Sequence, residues 1–351
     1  MAKCNGTVSP KPAIFAKIIP MKFRLSATIR LGLMLGVALA AAAVCAPLAA
    51  AETYTQEDIA THPEVQGLLS GLPAPQTVTI PWRPGRFNEF KMGSVEEGLT
   101  KTHGGNLIGQ LYRSPDLRPA PYAVLLAGCG GTYGGVNGLW LQLWARALQD
   151  LGIGTLALDS IEARGVPDGV CGDGSKVWAQ RRVDDAHAAL AWLATQPRVD
   201  SRRIVVMGMS NGGRAALLSV SATESAQFHR FAAAVALYPT CDRLPPHDLL
   251  APALLLFGGN DEDATPEKCQ RFIVPRRNAL VAPRIKVYPE ADHLFDVFPR
   301  NEDFTAPEVI ESRADVLDFL KQALLIAKPT ARQTAASPHG AATVTVSPTA
   351  R

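Results

Sequence analysis

The chain contains no C-x-x-C pair and no paired cysteine–histidine spacing, although six cysteines and seven histidines occur among its 351 residues. Zinc-type ligand sets need such spacing, so no metal is expected. No internal repeat is visible, which sets aside solenoids and propellers. A membrane span is not expected either: the apolar run Leu31 to Val44 covers fourteen residues, against the roughly 20 that a transmembrane helix needs. Acidic residues are missing altogether from Met1 to Ala51, a segment that holds Lys3, Lys11, Lys17, Lys22, Arg24 and Arg30. The formal charge of +3 is therefore a property of that segment. Without its six basic residues, 29 of the 35 Lys and Arg remain against 32 acids, a balance of −3. Nothing in that balance calls for a nucleic-acid partner.

What the N-terminal segment does contain is a secretory pattern starting at Met21. Lys22, Arg24 and Arg30 form a basic start, the apolar run follows, and Ala49-Ala50-Ala51 offers a small-residue cleavage site before Glu52. Residues before Met21 precede this second start and read as an upstream extension. Cys45 raises a lipoprotein alternative, but Val44 is a poor residue immediately before a lipidated cysteine. The expectation is an exported protein, periplasmic or secreted, with residues 1–51 outside the folded enzyme. At the other end, residues 328–351 are rich in Ala, Thr, Ser and Pro and are expected to be disordered, which leaves His339 without a catalytic role.

Between these ends lie an N-terminal arm (52–83) and a folded domain (84–327). The arm is expected to hold a short helix within Gln56 to Leu69, interrupted near Pro63, and then an extended stretch. In the domain, apolar runs predict strands at Asn106–Tyr112, Tyr122–Leu126, Thr155–Leu158, Arg203–Met207, Ala232–Leu237, Ala253–Phe257 and Arg284–Tyr288. Helices are expected at Val136–Leu151, Val177–Thr195 and Pro307–Leu325. In the first of these, Leu139, Leu143, Trp144, Ala147, Leu148 and Leu151 share one face and Gly152 is a candidate cap. Alternation of this kind predicts one α/β domain with a mostly parallel sheet. Trp140, Trp144 and Trp178 are candidates to line a pocket, although aromatic residues at helical positions more often pack in a core.

The chemistry is concentrated at strand ends, where sites sit in such sheets. Gly208-Met209-Ser210-Asn211-Gly212-Gly213 follows the run Ile204 to Met207 and precedes the helical Arg214-Ala215-Ala216-Leu217-Leu218. Strand, sharp turn and helix around a G-x-S-x-G are the context of a nucleophile elbow. A serine hydroxyl needs a base, and the base needs an orienting acid; in this arrangement they follow in the order Ser, Asp/Glu, His. His293 lies in the loop after the last predicted strand. Asp261 lies in the loop after Ala253–Phe257, with Asp263 as the alternative acid. The loop Ala127-Gly128-Cys129-Gly130-Gly131 after Tyr122–Leu126 is glycine-rich, so an oxyanion hole is expected from the backbone N–H groups of Cys129 and Asn211.

These residues resemble the dienelactone hydrolase family of α/β-hydrolases. The resemblance is carried by Gly128-Cys129-Gly130-Gly131, Asp159-Ser160 with Ala163-Arg164-Gly165, Arg181-Arg182-Val183-Asp184-Asp185, the elbow, Asp261 with Thr265-Pro266, and Ala291-Asp292-His293-Leu294-Phe295-Asp296. It spans residues from about Pro84 to Leu325. It implies an α/β-hydrolase fold and a cofactor-free hydrolase of small-molecule carboxylic esters or lactones. Two departures are visible: Ser210 replaces the cysteine nucleophile of the name-giving enzymes, and Ala127 stands where many relatives carry histidine. In this fold Cys129 and Cys171 would fall on neighbouring loops at the strand C-terminal edge, as would Cys241 and Cys269. Those two disulfides are the preferred pairing of the four cysteines that remain once Cys4 and Cys45 leave with the signal, with buried free thiols as the alternative. A peptidase or acyltransferase with the same triad, and a catalytically silent binding protein on the same scaffold, are the competing readings.

Overall fold

The computed structural model describes residues 61–81, 106–132, 135–167, 169–171, 179–221, 230–242, 248–272 and 281–325. The expected signal segment, the start of the expected first helix, Trp178 and the tail from 328 onward lie outside the described residues. The first helix of the described residues is α1 (Pro63–Leu69), which Pro63 opens at a position where a missing N–H is tolerated. Next come β1 (Gln76–Pro81), β2 (Asn106–Tyr112), β3 (Ala120–Leu126), α2 (Gly135–Gln149) and β4 (Gly154–Asp159). They are followed by α3 (Ala179–Ala194), β5 (Val199–Met209), α4 (Ser210–Leu218), β6 (Ala234–Leu237), β7 (Ala253–Gly258), α5 (Pro266–Phe272), β8 (Arg284–Tyr288) and α6 (Pro307–Ala323).

The eight strands form one sheet in the order β1-β2-β4-β3-β5-β6-β7-β8. β1 pairs antiparallel with β2, and β2 with β4, while all pairs from β4 to β8 are parallel. The expectation of a mostly parallel sheet is met. Every residue of β3, β4, β6 and β7 is buried, as continuous apolar strands covered on both faces should be. Successive residues point to opposite faces. Val124 and Leu126 pack toward Leu190, Leu193 and Leu217 of α3 and α4. Ala123 and Leu125 join Trp140, Trp144 and Leu148 of α2 and Phe319 and Leu320 of α6. Gly152, with φ +75°, closes α2 by donating its N–H to the Gln149 carbonyl (2.9 Å).

Several strand ends shift by one or two residues, as where β3 starts at Ala120 and β6 at Ala234, and two strands differ from expectation by more. The extended stretch of the arm is β1, which joins the sheet through Val78 and Ile80 on its buried face. A six-residue strand ending in Pro81, with threonines facing out, has too little apolar pattern to be distinguished from an arm. β5 begins at Val199 rather than Arg203, because Asp200, Arg202 and Arg203 start the strand near solvent, and hydrophobic patterning is silent there.

The order of connections sets up the site. From β3 the chain crosses to β4 on one side, then returns to β5 on the other side of β3. The loops leaving the carboxyl ends of β3 and β5 therefore open next to each other, at the switch point where ligands bind in open α/β sheets.

α3 places unusual charge in the interior. Arg182 and Asp185 are fully buried, and Asp184 nearly so. Burial pushes the Asp184 carboxyl up to about 7, with Arg181 at 3.8 Å opposing it only in part. The folded chain thus holds this proton more tightly than the unfolded chain does, so the stability it contributes is full below pH ~4 and is lost as pH rises through about 7. Asp184→Asn should flatten the melting temperature between pH 4 and 7, roughly the span of the shift. A variant curve as steep as the parent's would contradict the burial argument.

Candidate active site

β5 ends at Met209 in extended conformation, and α4 begins at the next residue. Ser210 between them has φ +50°, the left-handed region that L side chains avoid, at a cost of about 1–3 kcal/mol. The cost is borne because the strand and helix must cross closely here. A Cβ at Gly208 would run into the Gly212 carbonyl, and one at Gly212 would run into the carbonyl oxygens of Leu126 and Ala127. Gly212→Ala should therefore destabilise the fold by about 1–3 kcal/mol, as overpacking does, and displace the serine. Melting temperature and ester turnover check this, and no change in either would contradict the close crossing.

Ser210, His293 and Asp261 come together across the sheet edge. Asp261 follows β7, and its carboxylate is wholly inaccessible to solvent. Its Oδ1 accepts the N–H groups of Asp263 and Ala264, both at 2.9 Å, and its Oδ2 lies 2.7 Å from His293 Nδ1. His293 Nε2 lies 3.1 Å from Ser210 Oγ. Because Asp261 can only accept, Nδ1 carries the imidazole proton and Nε2 is left to accept that of the serine hydroxyl. Asp263 is exposed, and its contribution to this cluster is its backbone N–H. The loops carrying acid and base are joined by backbone bonds from Gly259 N–H to the Tyr288 carbonyl (2.8 Å) and from Asn260 N–H to the Ala291 carbonyl (2.9 Å).

The loop after β3 presses against the serine. A Cβ built on Gly128 would sit 3.8 Å from Ser210 Cβ and 3.3 Å from Met209 Cε. Gly128 donates its N–H to Asn137 Oδ1 (3.1 Å). Cys129 is disulfide-bonded to Cys171, and its carbonyl accepts the Val170 N–H (2.7 Å). Asn211 lies in the first turn of α4, where backbone N–H groups have no partner four residues back. The second disulfide joins Cys241 to Cys269 on α5. Both expected cysteine pairs are thus present as disulfides.

Sequence reasoning missed the support beneath His293. The ring of Tyr238, which follows β6 with φ +36°, meets the imidazole edge-on at 4.8 Å between centroids. Tyr238 Oη donates to Asp296 Oδ1 (2.5 Å). Asp296 Oδ2 accepts the indole N–H groups of Trp140 (2.9 Å) and Trp144 (2.8 Å). Trp140 and Trp144 are therefore buried core residues. Burial raises the Asp296 carboxyl, and its three donors oppose that rise. Burial, reinforced by Asp296, pushes the Tyr238 phenol well above its usual value, so it stays a donor. A signal existed: two indoles one turn apart on an apolar face need an acceptor. Their acceptor, some 150 residues away in sequence (|i−j| 156 and 152), could not be identified from spacing.

Among the described residues no group of three or more His, Cys, Asp or Glu side chains is arranged to hold a metal ion. Nor is any helix among them long and apolar enough to cross a membrane.

Residues 170–324 match the family model of the dienelactone hydrolase family, so the resemblance is borne out over that stretch, which holds the Arg181–Asp185, elbow, Asp261 and His293 motifs. No curated protein matches the chain. Solved structures do. An esterase of the planctomycete Thermogutta terrifontis with propionate bound is 17% identical, with 74% of this chain and 98% of that one covered and a TM-score of 0.52. A dienelactone hydrolase-like promiscuous phosphotriesterase from metagenomic libraries is 18% identical, with 72% and 99% covered and a TM-score of 0.52. A candidate dienelactone hydrolase of Klebsiella pneumoniae is 21% identical, with 71% and 99% covered and a TM-score of 0.50. The shared architecture is the α/β-hydrolase fold.

Proposed function

We propose that this chain, which resembles the dienelactone hydrolase family of hydrolases, is an exported serine hydrolase that cleaves small-molecule carboxylic esters or lactones through an acyl-enzyme. The observation that carries the reading is the continuous contact from Ser210 Oγ through the His293 ring to the Asp261 carboxylate, at 3.1 and 2.7 Å. Ser210 Oγ attacks the carbonyl carbon while His293 Nε2 takes the hydroxyl proton. The carbonyl oxygen becomes an anion held by the N–H groups of Cys129 and Asn211. Collapse of this intermediate breaks the bond to the leaving oxygen, which receives the proton from Nε2. Water then enters, gives its proton to the same nitrogen and releases the acid, and the proton returns to Ser210. Asp261 keeps the imidazole in the required tautomer and offsets its transient charge throughout. None of these steps calls on an organic cofactor.

Export is supported by the secretory pattern from Met21 to Ala51 and by the two disulfides, which persist in oxidising compartments. A silent scaffold would not need a serine, an imidazole and a carboxylate in hydrogen-bonding sequence.

A panel of p-nitrophenyl esters and simple lactones, assayed with and without added methanol, tests the reading. Release of free acid with little methyl ester is the expected result. Predominant methyl ester would favour acyl transfer, and no turnover of any ester or lactone would overturn the assignment.

A further inference from the structure

Arg182 is the one guanidinium in the described core that is fully buried, and its hydrogen bonds go to neutral oxygens around the nucleophile. It lies in the first turn of α3 and reaches over the carboxyl ends of β3 and β5. Nη2 donates to the Ala127 carbonyl (2.6 Å) and Nη1 to Asn211 Oδ1 (2.7 Å), with the Gly128 carbonyl 3.5 Å from Nη1. The neighbouring Arg164 forks onto both oxygens of Asp185 (2.7 and 2.6 Å), so that acid is already engaged.

We propose that Arg182 is a positioning residue of the oxyanion hole, joining its two halves and polarising one of them. The inference rests on the reading of Ser210 as nucleophile. The Gly128 carbonyl and the Cys129 N–H belong to one planar peptide unit. A cation at the carbonyl end draws electron density from that unit and leaves the N–H end more positive, where the developing oxyanion would sit. The preceding peptide unit is held at both ends, by Arg182 on the Ala127 carbonyl and by Asn137 on the Gly128 N–H. The contact to Asn211 ties the residue that carries the second donor to the same guanidinium. Burial pulls Arg182 down to about 10, with Asp185 opposing the drop, so it is a cation at neutral pH. In a site shut off from water such a charge acts at short range with little screening. Lysine, a point charge without the planar fork, does not reproduce the two-nitrogen geometry with which Arg182 meets carbonyl and amide.

A guanidinium that only tied α3 to the strand ends would affect folding without affecting how negative charge on oxygen is stabilised. The test therefore compares a phenyl ester with the same ester bearing C=S in place of C=O, for which amide N–H groups stabilise the developing anion poorly. Parent, Arg182→Lys, Arg182→Met and Asn211→Ala proteins are titrated with a fluorophosphonate so that rates refer to competent sites. In Arg182→Lys and Asn211→Ala, kcat on the oxoester should fall about tenfold or more, less than the 10²–10³ for a lost donor, with KM within about threefold. The ratio of oxoester to thionoester kcat/KM should fall by a similar factor. Partial misfolding cancels in that ratio, and if Arg182→Met does not fold, the other two variants decide. An unchanged ratio in both, with an active parent, overturns the assignment of Arg182 alone. A parent that turns over neither ester overturns the hydrolase reading, and this assignment with it.

Discussion

Ser210→Ala should abolish ester turnover, lowering kcat by about a millionfold, as removal of the nucleophile does in enzymes whose serine and histidine act as a unit. Size does not explain the effect, since alanine fits wherever the serine backbone fits. What is lost is the oxygen that both bonds to the substrate carbon and hands its proton to His293 Nε2, 3.1 Å away. With no acyl-enzyme possible, the residual rate expected on the proposed mechanism is that of water attacking a substrate polarised by the proposed oxyanion donors, the N–H groups of Cys129 and Asn211. Alanine should also relieve no strain worth measuring, because the positive φ at position 210 is imposed by the strand–helix crossing and penalises any residue with a Cβ. The melting temperature should therefore stay near the parent's while kcat collapses. Variant turnover within about a hundredfold of the parent would mean that another group attacks the ester.

Asp261→Asn is the second large effect, a loss of about 10⁴ in kcat with the fold retained. The asparagine amide can present its NH₂ group to His293 Nδ1, which then becomes the acceptor. The ring proton moves to Nε2, and that nitrogen can no longer take the serine proton. The other oxygen of Asp261 holds the N–H groups of Asp263 and Ala264, and an asparagine oxygen can keep those bonds, which is why geometry should survive. Asp263→Asn is the matched control. Its side chain is exposed, so turnover should remain within about threefold of the parent, as for an ordinary surface substitution. Steady-state kinetics on both variants separate the two acids. Comparable losses in the two, or a larger one in Asp263→Asn, would contradict the geometry.

That choice of acid marks where sequence reading stops. Asp261, Glu262 and Asp263 form one run of acids after an apolar strand, and composition treats them alike. The turn separates them: the Asp261 carboxylate accepts the N–H groups of Asp263 and Ala264, two and three residues on, and its other oxygen faces the imidazole. The elbow was legible for the opposite reason. Its glycines, its preceding apolar run and its following helix are all local, and the parallel order of β3 to β8 follows from the alternation of such runs. β1 and the polar start of β5 were not, since neither shows the apolar pattern of a buried strand. Tyr238 and Asp296 meet the indoles of α2, and Arg182 meets the loop after β3 and the start of α4, so these contacts join residues from six separate parts of the chain. A buried indole or guanidinium announces that a partner exists, but only the fold says which one.

The most direct measurement is intact-mass analysis after reaction with a fluorophosphonate, on the parent protein and on Ser210→Ala. An activated serine displaces fluoride and keeps the phosphonate, so the account predicts one adduct per parent chain and none on the variant. Peptide mapping should place it on Ser210. A folded parent that takes up no phosphonate, or a Ser210→Ala variant that takes up as much as the parent, would contradict the claim that Ser210 is an activated nucleophile.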